Sequence, residues 1–449
     1  MQGGHSVDLT QGSLWKQMLR FAIPLLLSNL FQLFYNTADT VIVGNAVGTS
    51  ALAAVGAGGQ LVSVVVGFSV GFSTGASVVV ARYFGARNQK QIQKTVHTAL
   101  TVGALGGLLL TALCEVLVPP VLRLIHTPDS VFGEAVLYLR LYFLGLVPLL
   151  LYNVGAGILR GVGDSFRPLL FLVATCIANV GLDLLFVVAF RWGVAGAAVA
   201  TVLAQVVACV LVIYTLLRAQ DSCRLMWKKL GIDRQALAEI ISIGVPTGLQ
   251  SVVAGLSRIV SQSKVNLFGE LAMAGTVAYT RVDSFQSLPI EAMCMTTTTL
   301  ISQNLGARDE QRARKGIRFG LWFCAVFAAI SGALIFTFAP QILRLFTADA
   351  GAIAYGIRMA SVMATFYVLC ALSSGMGAVI RGTGDARNPM LISMMTLCIF
   401  RIIWCCLILF VWSNILAVYI SYPISWALDL LCLVLYYKKR CPLGKTRQV

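Results

Sequence analysis

Asp39 and Asp183 are carboxylates set in otherwise apolar runs, Asn36-Thr-Ala-Asp39-Thr-Val-Ile-Val-Gly44 and Asn179-Val-Gly-Leu-Asp183. Asn179 and Asp183 are four residues apart, so on a helix they share one face. Two such carboxylates brought to comparable depth can share a proton or clamp a cation, since burial and mutual repulsion both favour protonating one of them. A second group, Arg281, Asp283 and Glu291, lies in another apolar stretch. Asp283 and Glu291 are eight apart and fall near one helical face, with Arg281 available to pair with either. Glu115 and Asp429 lie closer to the ends of their runs and read as solvated or paired. Arg140, Arg258, Arg358 and Arg401 also fall within apolar stretches. They read as ion-pair partners, as snorkelling side chains, or as the lining of a lumen that accepts an anion.

Other chemistries lack their parts. The 12 cysteines form no Cys-x-x-Cys pair and the three histidines, His5, His97 and His126, are scattered, so no structural metal site is expected. Buried free thiols are the expected state of cysteines placed in apolar runs. Gly56-Ala-Gly58-Gly59 precedes no Gly-Lys-Ser/Thr and follows no strand, so it reads as a helix-packing position rather than a phosphate loop. With no nucleotide-binding signature, no cofactor and no nucleophile–base pair, the chain is not expected to be an enzyme. Any work it does must draw on an ion gradient or a partner.

The elements that hold these residues follow from composition. Of 449 residues, 58% are hydrophobic and 12% charged, with a mean hydropathy of +0.83. Soluble domains carry about 25% charged residues, and a spanning helix needs about 20 apolar ones. The chain therefore reads as an all-α polytopic membrane protein. Spans are expected near 17–43, 51–80, 95–118, 132–158, 168–190 and 193–217, then 237–263, 272–301, 315–338, 353–380, 389–411 and 413–437. The net charge of +16 would suggest nucleic acid in a soluble protein, but here the basic residues are dispersed over alternate loops. One set of connections takes nearly all of them, including Arg82, Arg87, Lys90 and Lys94, Arg308 through Arg318, and the tail residues Lys438, Lys439, Arg440, Lys445 and Arg447. The other set holds Arg123, Arg191, Lys264 and Arg344. By the positive-inside rule both termini are cytoplasmic, the span count is even, and twelve fits. No cleavable signal is expected in the polar first fifteen residues. Asp39 lies about 22 residues from the start of its span, roughly 33 Å at ~1.5 Å each, and Asp183 roughly 22 Å beyond Pro168. Both fall in the outer half. Pro24 removes a backbone hydrogen bond and can kink the first span.

The halves repeat at an offset of about 221. Gly85-Ala-Arg87 meets Gly306-Ala-Arg308, Pro119 meets Pro340, Pro168 meets Pro389, and Arg160-Gly-Val-Gly-Asp164 meets Arg381-Gly-Thr-Gly-Asp385. An N-terminal lobe at 1–217, a cytoplasmic linker at 218–238 and a C-terminal lobe at 239–449 are expected, as parallel repeats of the kind that form alternating-access transporters. Each Arg-Gly-x-Gly-Asp turn is expected to close on a local Arg–Asp ion pair.

The segment Asp39-Thr-Val-Ile-Val-Gly44, the Arg82–Arg87 and Gln303–Arg308 motifs, the duplicated Arg-Gly-x-Gly-Asp and the run Ala278-Tyr-Thr-Arg281-Val-Asp283-Ser-Phe285 resemble the multidrug and toxic compound extrusion (MATE) family of the flippase superfamily, over nearly the whole chain. The resemblance implies two six-helix lobes and an antiporter in a bacterial cell membrane that exports amphipathic, often cationic compounds against H⁺ or Na⁺. Its DinF-like branch builds a coupling site from positions matched by Asp39, Asn179, Asp183 and Thr201, with Pro24 matching the hinge proline of span one. The other branch uses acids in spans seven and ten, and here 246–269 and 353–380 hold neither Asp nor Glu. The expected partners are small amphipathic molecules and the lipid bilayer, with no nucleic acid and no nucleotide, and the expected state is a monomer. The rival reading is a flippase of lipid-linked saccharides or another anionic amphiphile, which would want Arg140, Arg258 and Arg358 converging on the lumen.

Overall fold

A computed structural model describes residues 7–124, 127–220, 222–441 and 443. His5, His126, Lys445 and Arg447 lie outside the described residues. The first half runs through α1 (Leu14–Ala46), α2 (Thr49–Gly85), α3 (Gln89–Leu124), α4 (Asp129–Phe143), α5 (Leu146–Gly161), α6 (Phe166–Asp183) and α7 (Gly193–Arg218). The second runs through α8 (Arg234–Asn266), α9 (Glu270–Gly306), α10 (Glu310–Arg344), α11 (Ala350–Gly382), α12 (Arg387–Ser393), α13 (Phe400–Val411) and α14 (Ile415–Arg440). Six-residue π-helical segments continue α6 (Leu184–Ala189) and join α12 to α13 (Met394–Ile399).

These elements make an all-α membrane protein of twelve spans in two six-helix lobes. Among the described residues ten spans are long and apolar enough by composition alone, and α4 with α5 forms another, bent by 46°. The twelfth is α9, as long as α2 at 37 residues but carrying Arg281, Asp283 and Glu291. Apolar side chains turn outward, as Leu105, Leu108, Leu109 and Val116 do along α3. Their helical spacing builds one outward stripe, the face a bilayer solvates. Helix starts carry recognisable caps. The carboxylates of Asp309 and Asp349 accept from the backbone N–H groups of Arg312 (2.8 Å) and Ala352 (2.9 Å).

The backbone carries the repeat at a constant spacing of 221. Gly48 and Gly269 precede α2 and α9 with φ of 109° and 92°, Arg87 and Arg308 follow them at 54° and 60°, and Gly163 and Gly384 turn at 91° and 95°. The resemblance of the two halves in sequence is thus matched by positive dihedrals at corresponding positions, agreeing within 17°. Packing repeats too. A Cβ on Gly161 would lie 2.8 Å from the Ser77 carbonyl, and one on Gly382 would lie 3.0 Å from the Thr298 carbonyl. Small residues there let α5 approach α2, and α11 approach α9.

The compact units differ from the expected domains. One holds Ile23–Gly248 with Val7 and Asp8, the other Leu9–Ala22 with Leu249–Val449. The boundaries therefore fall inside α1 and α8, next to Pro24 and Pro246, rather than in the 218–238 linker. Each helix is continuous as secondary structure, so continuity of a helix in sequence does not decide which unit its residues pack in. Within the first unit the linker is tied down by Lys94, whose ammonium meets Asp233 at 2.7 Å. That contact holds the half-buried Asp233 carboxyl below its ordinary range.

The Arg–Asp pairs expected in the duplicated turns do not form as expected. Asp164 caps the backbone N–H groups of Phe166 and Arg167 and pairs with the Arg167 guanidinium at 3.3 Å. Arg160 instead reaches the Ser73 hydroxyl at 3.5 Å. In the second turn Asp385 takes Asn388 and the Tyr436 hydroxyl, while Arg381 donates to Gln250 at 3.2 Å. The positive φ of Gly163 and Gly384 sends each aspartate forward onto the next helix start, away from the arginine four residues behind.

Candidate functional site

In the first unit, α1, α4, α6 and α7 bring polar groups into one apolar core. Tyr138, Tyr142, Val43 and Val187 are buried in a single hydrophobic cluster. Asp39 is half-buried on α1, Asn179 and Asp183 on α6 are fully buried, and Thr201 on α7 is 3% exposed. Asp183 is the last α-helical residue before the π-helical segment. Such segments interrupt regular hydrogen bonding and recur at functional sites.

The Asp39 and Asp183 carboxyls meet directly, side chain to side chain. Neither oxygen of Asp183, neither polar atom of Asn179, nor Oδ1 of Asp39 has a hydrogen-bond donor or acceptor. A buried polar group without a partner costs about 1–3 kcal/mol. Several clustered together form a polar site inside an apolar core. Carboxylate and amide oxygens are the donor set a hard cation accepts, and a single proton between the two carboxyls serves equally. Thr201 donates its hydroxyl to the Ala197 carbonyl at 3.0 Å and meets the Tyr35 hydroxyl with its other side. All four residues read from the sequence as the coupling set thus lie in this unit, and the two carboxylates touch.

Two further residues belong here that the sequence did not single out. Tyr35 lies one helical turn before Asp39, and Gln205 one turn after Thr201. Gln205 bonds to Tyr142 but leaves Oε1 unpartnered and buried. The bend between α4 and α5 admits it, because a Cβ on Gly145 would clash with that oxygen. The spacing of four from Asp39 and from Thr201 was the available signal, but an aromatic and an amide in apolar runs read as core.

The second unit treats its acids differently. Asp283 accepts the Tyr367 hydroxyl at 2.8 Å, and Tyr367 also bonds Tyr279. Arg258 of α8 attracts both Asp283 and Glu291. Arg281 pairs with neither of them, because it projects from the opposite side of α9, two residues and about 200° from Asp283. Asp429, expected near a span end, is 1% exposed and held by the Ser373 and Thr396 hydroxyls. The remaining arginines are engaged. Arg140 pairs with Glu115 at 3.6 Å, Arg358 stacks on Tyr355, and Arg401 lies over Tyr422 while donating to Ser425 at 2.6 Å. The cysteines are all free thiols, and no group of three or more His, Cys, Asp or Glu that could hold a metal occurs among the described residues.

The fold is that of a polytopic helical membrane protein, with a pair of carboxylates set in one lobe. The MatE family model matches residues 24–185 and again 246–407, and the chain belongs to that family. The chain is 28% identical to the probable multidrug resistance protein YoeA of Bacillus subtilis (strain 168), covering 95% of this chain and 94% of that one. It is 27% identical to the probable multidrug resistance protein YpnP of the same organism, covering 88% of each. A MOP superfamily transporter from Pyrococcus furiosus shares the fold with a TM-score of 0.91 at 24% identity, over 99% of this chain and 100% of that one.

Proposed function

We propose that the protein is an ion-coupled efflux transporter of amphipathic, often cationic compounds, with Asp39 and Asp183 as the coupling pair and Asn179 and Thr201 as neutral neighbours. The observation that carries this reading is the carboxylate pair whose buried oxygens have no donor, beside an amide that is equally unpartnered. Membership in the MatE family and the likeness to proteins named for multidrug resistance support the substrate class. The membrane is the cell membrane, with both termini cytoplasmic on the strength of the loop charges.

The mechanism follows from what the pair lacks. With both carboxylates charged they repel and span one is held off the rest of its lobe. Binding a proton or Na⁺ removes the repulsion and draws α1 towards α6, and Pro24, whose missing N–H leaves a carbonyl without its helical donor, is the hinge. Substrate and ion drive exchange between states only through their different affinities for each. The flippase reading loses its main support, because Arg140 is paired with an acid, Arg258 is drawn to Asp283 and Glu291, and Arg358 lies on a tyrosine ring.

The test is dye accumulation in cells expressing the protein. Asp39→Asn and Asp183→Asn should each raise the steady-state level of a lipophilic cationic dye to that of cells without the protein, at unchanged membrane abundance. Asp283→Asn should leave efflux largely intact. Efflux that survives both first-lobe substitutions and fails in Asp283→Asn would overturn the assignment.

A further inference from the structure

The second unit contains a cavity of about 530 Å³ that takes no part in the coupling site. That volume falls within the range of ligand pockets, about 300–1,000 Å³. One stripe of α9 lines it, with Glu270 at one end, Met273 and Val277 between, and Arg281 at the other, and Phe346 after α10 faces them. Met273, Val277 and Phe346 are 37%, 49% and 43% exposed, so the apolar wall is open to a ligand. Arg281 is exposed as well. Among the described residues no acid, hydroxyl, carbonyl or aromatic ring engages it, in contrast to Arg140, Arg358 and Arg401.

Depth makes that freedom informative. Arg281 lies eleven residues after Glu270, so about 16 Å along the helix at ~1.5 Å per residue. On a helix of 37 residues, roughly 55 Å long, that falls just inside one edge of a hydrocarbon core about 30 Å thick. A guanidinium at such depth is costly and is retained where an anion or a wet cavity meets it. The planar fork of arginine suits a carboxylate or a phosphate, to which it can bond in two places.

We propose that this cavity binds the anionic head group, carboxylate or phosphate, of a single-chain amphiphile. Arg281 takes the head group, and Met273, Val277 and Phe346 take the chain. Glu270 at the far end repels a second negative charge, so the site selects mono-anions over molecules charged at both ends. The ligand comes either from the bilayer, as a lipid head group, or from solution, as a free amphiphile.

Equilibrium dialysis of radiolabelled laurate against the purified full-length protein in neutral maltoside micelles tests this. Wild type should show one saturable site, which dodecyltrimethylammonium of equal chain length does not displace. Arg281→Gln should weaken binding at least tenfold, Arg281→Lys by threefold or less, and Glu270→Gln should tighten it two- to threefold. Asp39→Asn should bind as wild type does, which separates this site from the efflux reading. Size-exclusion profiles matching wild type confirm that the variants are folded. In nanodiscs, weaker laurate binding in phosphatidylglycerol than in phosphatidylcholine, seen in wild type and lost in Arg281→Gln, assigns the site to lipid. Equal laurate affinity in both lipids assigns it to free amphiphiles. Equal laurate binding by wild type and Arg281→Gln, or displacement by the cationic amphiphile, overturns the proposal.

Discussion

Asn179 is fully buried and bonds to nothing, with its amide oxygen and nitrogen both unpartnered. A residue kept only for stability would be replaced by an apolar one of like size, since an orphaned amide costs about 1–3 kcal/mol. Asn179→Leu should therefore raise the thermal midpoint of the purified protein in detergent, by the equivalent of ~1 kcal/mol or more, while coupled transport falls severalfold. A lower midpoint with transport unchanged would make Asn179 a structural residue. This exchange of stability for function is expected where a site is built to be completed by its ligand. The same reasoning explains why Asp39, Asn179 and Asp183 were legible in the sequence. Each is a polar group in an apolar run, and helical rise alone brings the two carboxylates to the outer half of their spans. Tyr35 and Gln205 were not legible, because their side chains look like ordinary core until the opposing helix is in place.

At the scale of elements, spacing and apolar runs placed the helices well: nine of the twelve expected spans fall wholly within helical segments, 132–158 crosses the break at Leu144 and Gly145, and 168–190 and 413–437 overrun their helices by one and two residues. What spacing could not give was the partner of a side chain across a turn. The duplicated Arg-Gly-x-Gly-Asp suggested a local ion pair, but backbone N–H groups at the next helix start compete for the aspartate, and they win at Asp164. The N-terminal segment is a second case, because nothing in its composition says where it docks. Within the second unit, Arg312 donates to the carbonyls of Leu9 (2.9 Å), Gly12 (3.0 Å) and Gln11 (2.7 Å). Asn304 adds a bond to Leu9 at 3.2 Å. One guanidinium thus fixes a stretch that lacks regular structure and leads directly into α1. Hydrogen bonds to a charged donor contribute about 1.5–3 kcal/mol when shielded and less at this partly exposed site. Arg312→Ala should therefore speed amide exchange over residues 9–13 by about tenfold, with α10 itself unchanged. Unaltered exchange in that stretch would show that Leu9–Gly12 is held by other contacts. The linker offers a pH-dependent counterpart. Asp233 is held below the usual carboxylate range by Lys94, so its contribution is present above about pH 4 and lost as pH falls through its lowered value. The protection of amides at the start of α8, taken relative to their intrinsic exchange rate at each pH, should be high at neutral pH and fall in acid. An Asp233→Asn variant should show the reduced protection at both.

At the scale of the molecule, the repeat in sequence reappears as positive dihedrals 221 residues apart and as a family model that matches the chain twice. The chemistry does not repeat. The first lobe carries touching carboxylates without donors, whereas the second holds Asp283 and Asp429 with hydroxyls and sets Arg258 beside Glu291. Duplication copied the scaffold, and the two lobes diverged where charge is buried. The sequence did not reveal that α1 and α8 each contribute to both compact units, because that depends on which neighbours their first turns meet. The prolines next to those boundaries make the crossing points the natural places for a span to bend. The most direct test of the coupling claim is transport in reconstituted vesicles with a proton gradient and an Na⁺ gradient imposed separately. One of the two gradients should drive the cationic dye uphill in wild type. In Asp39→Asn and in Asp183→Asn, movement should fall to the rate seen without a gradient, with downhill leakage unchanged. Gradient-driven transport near the wild-type rate in both variants would contradict the account and move the search to Asp283 and Glu291.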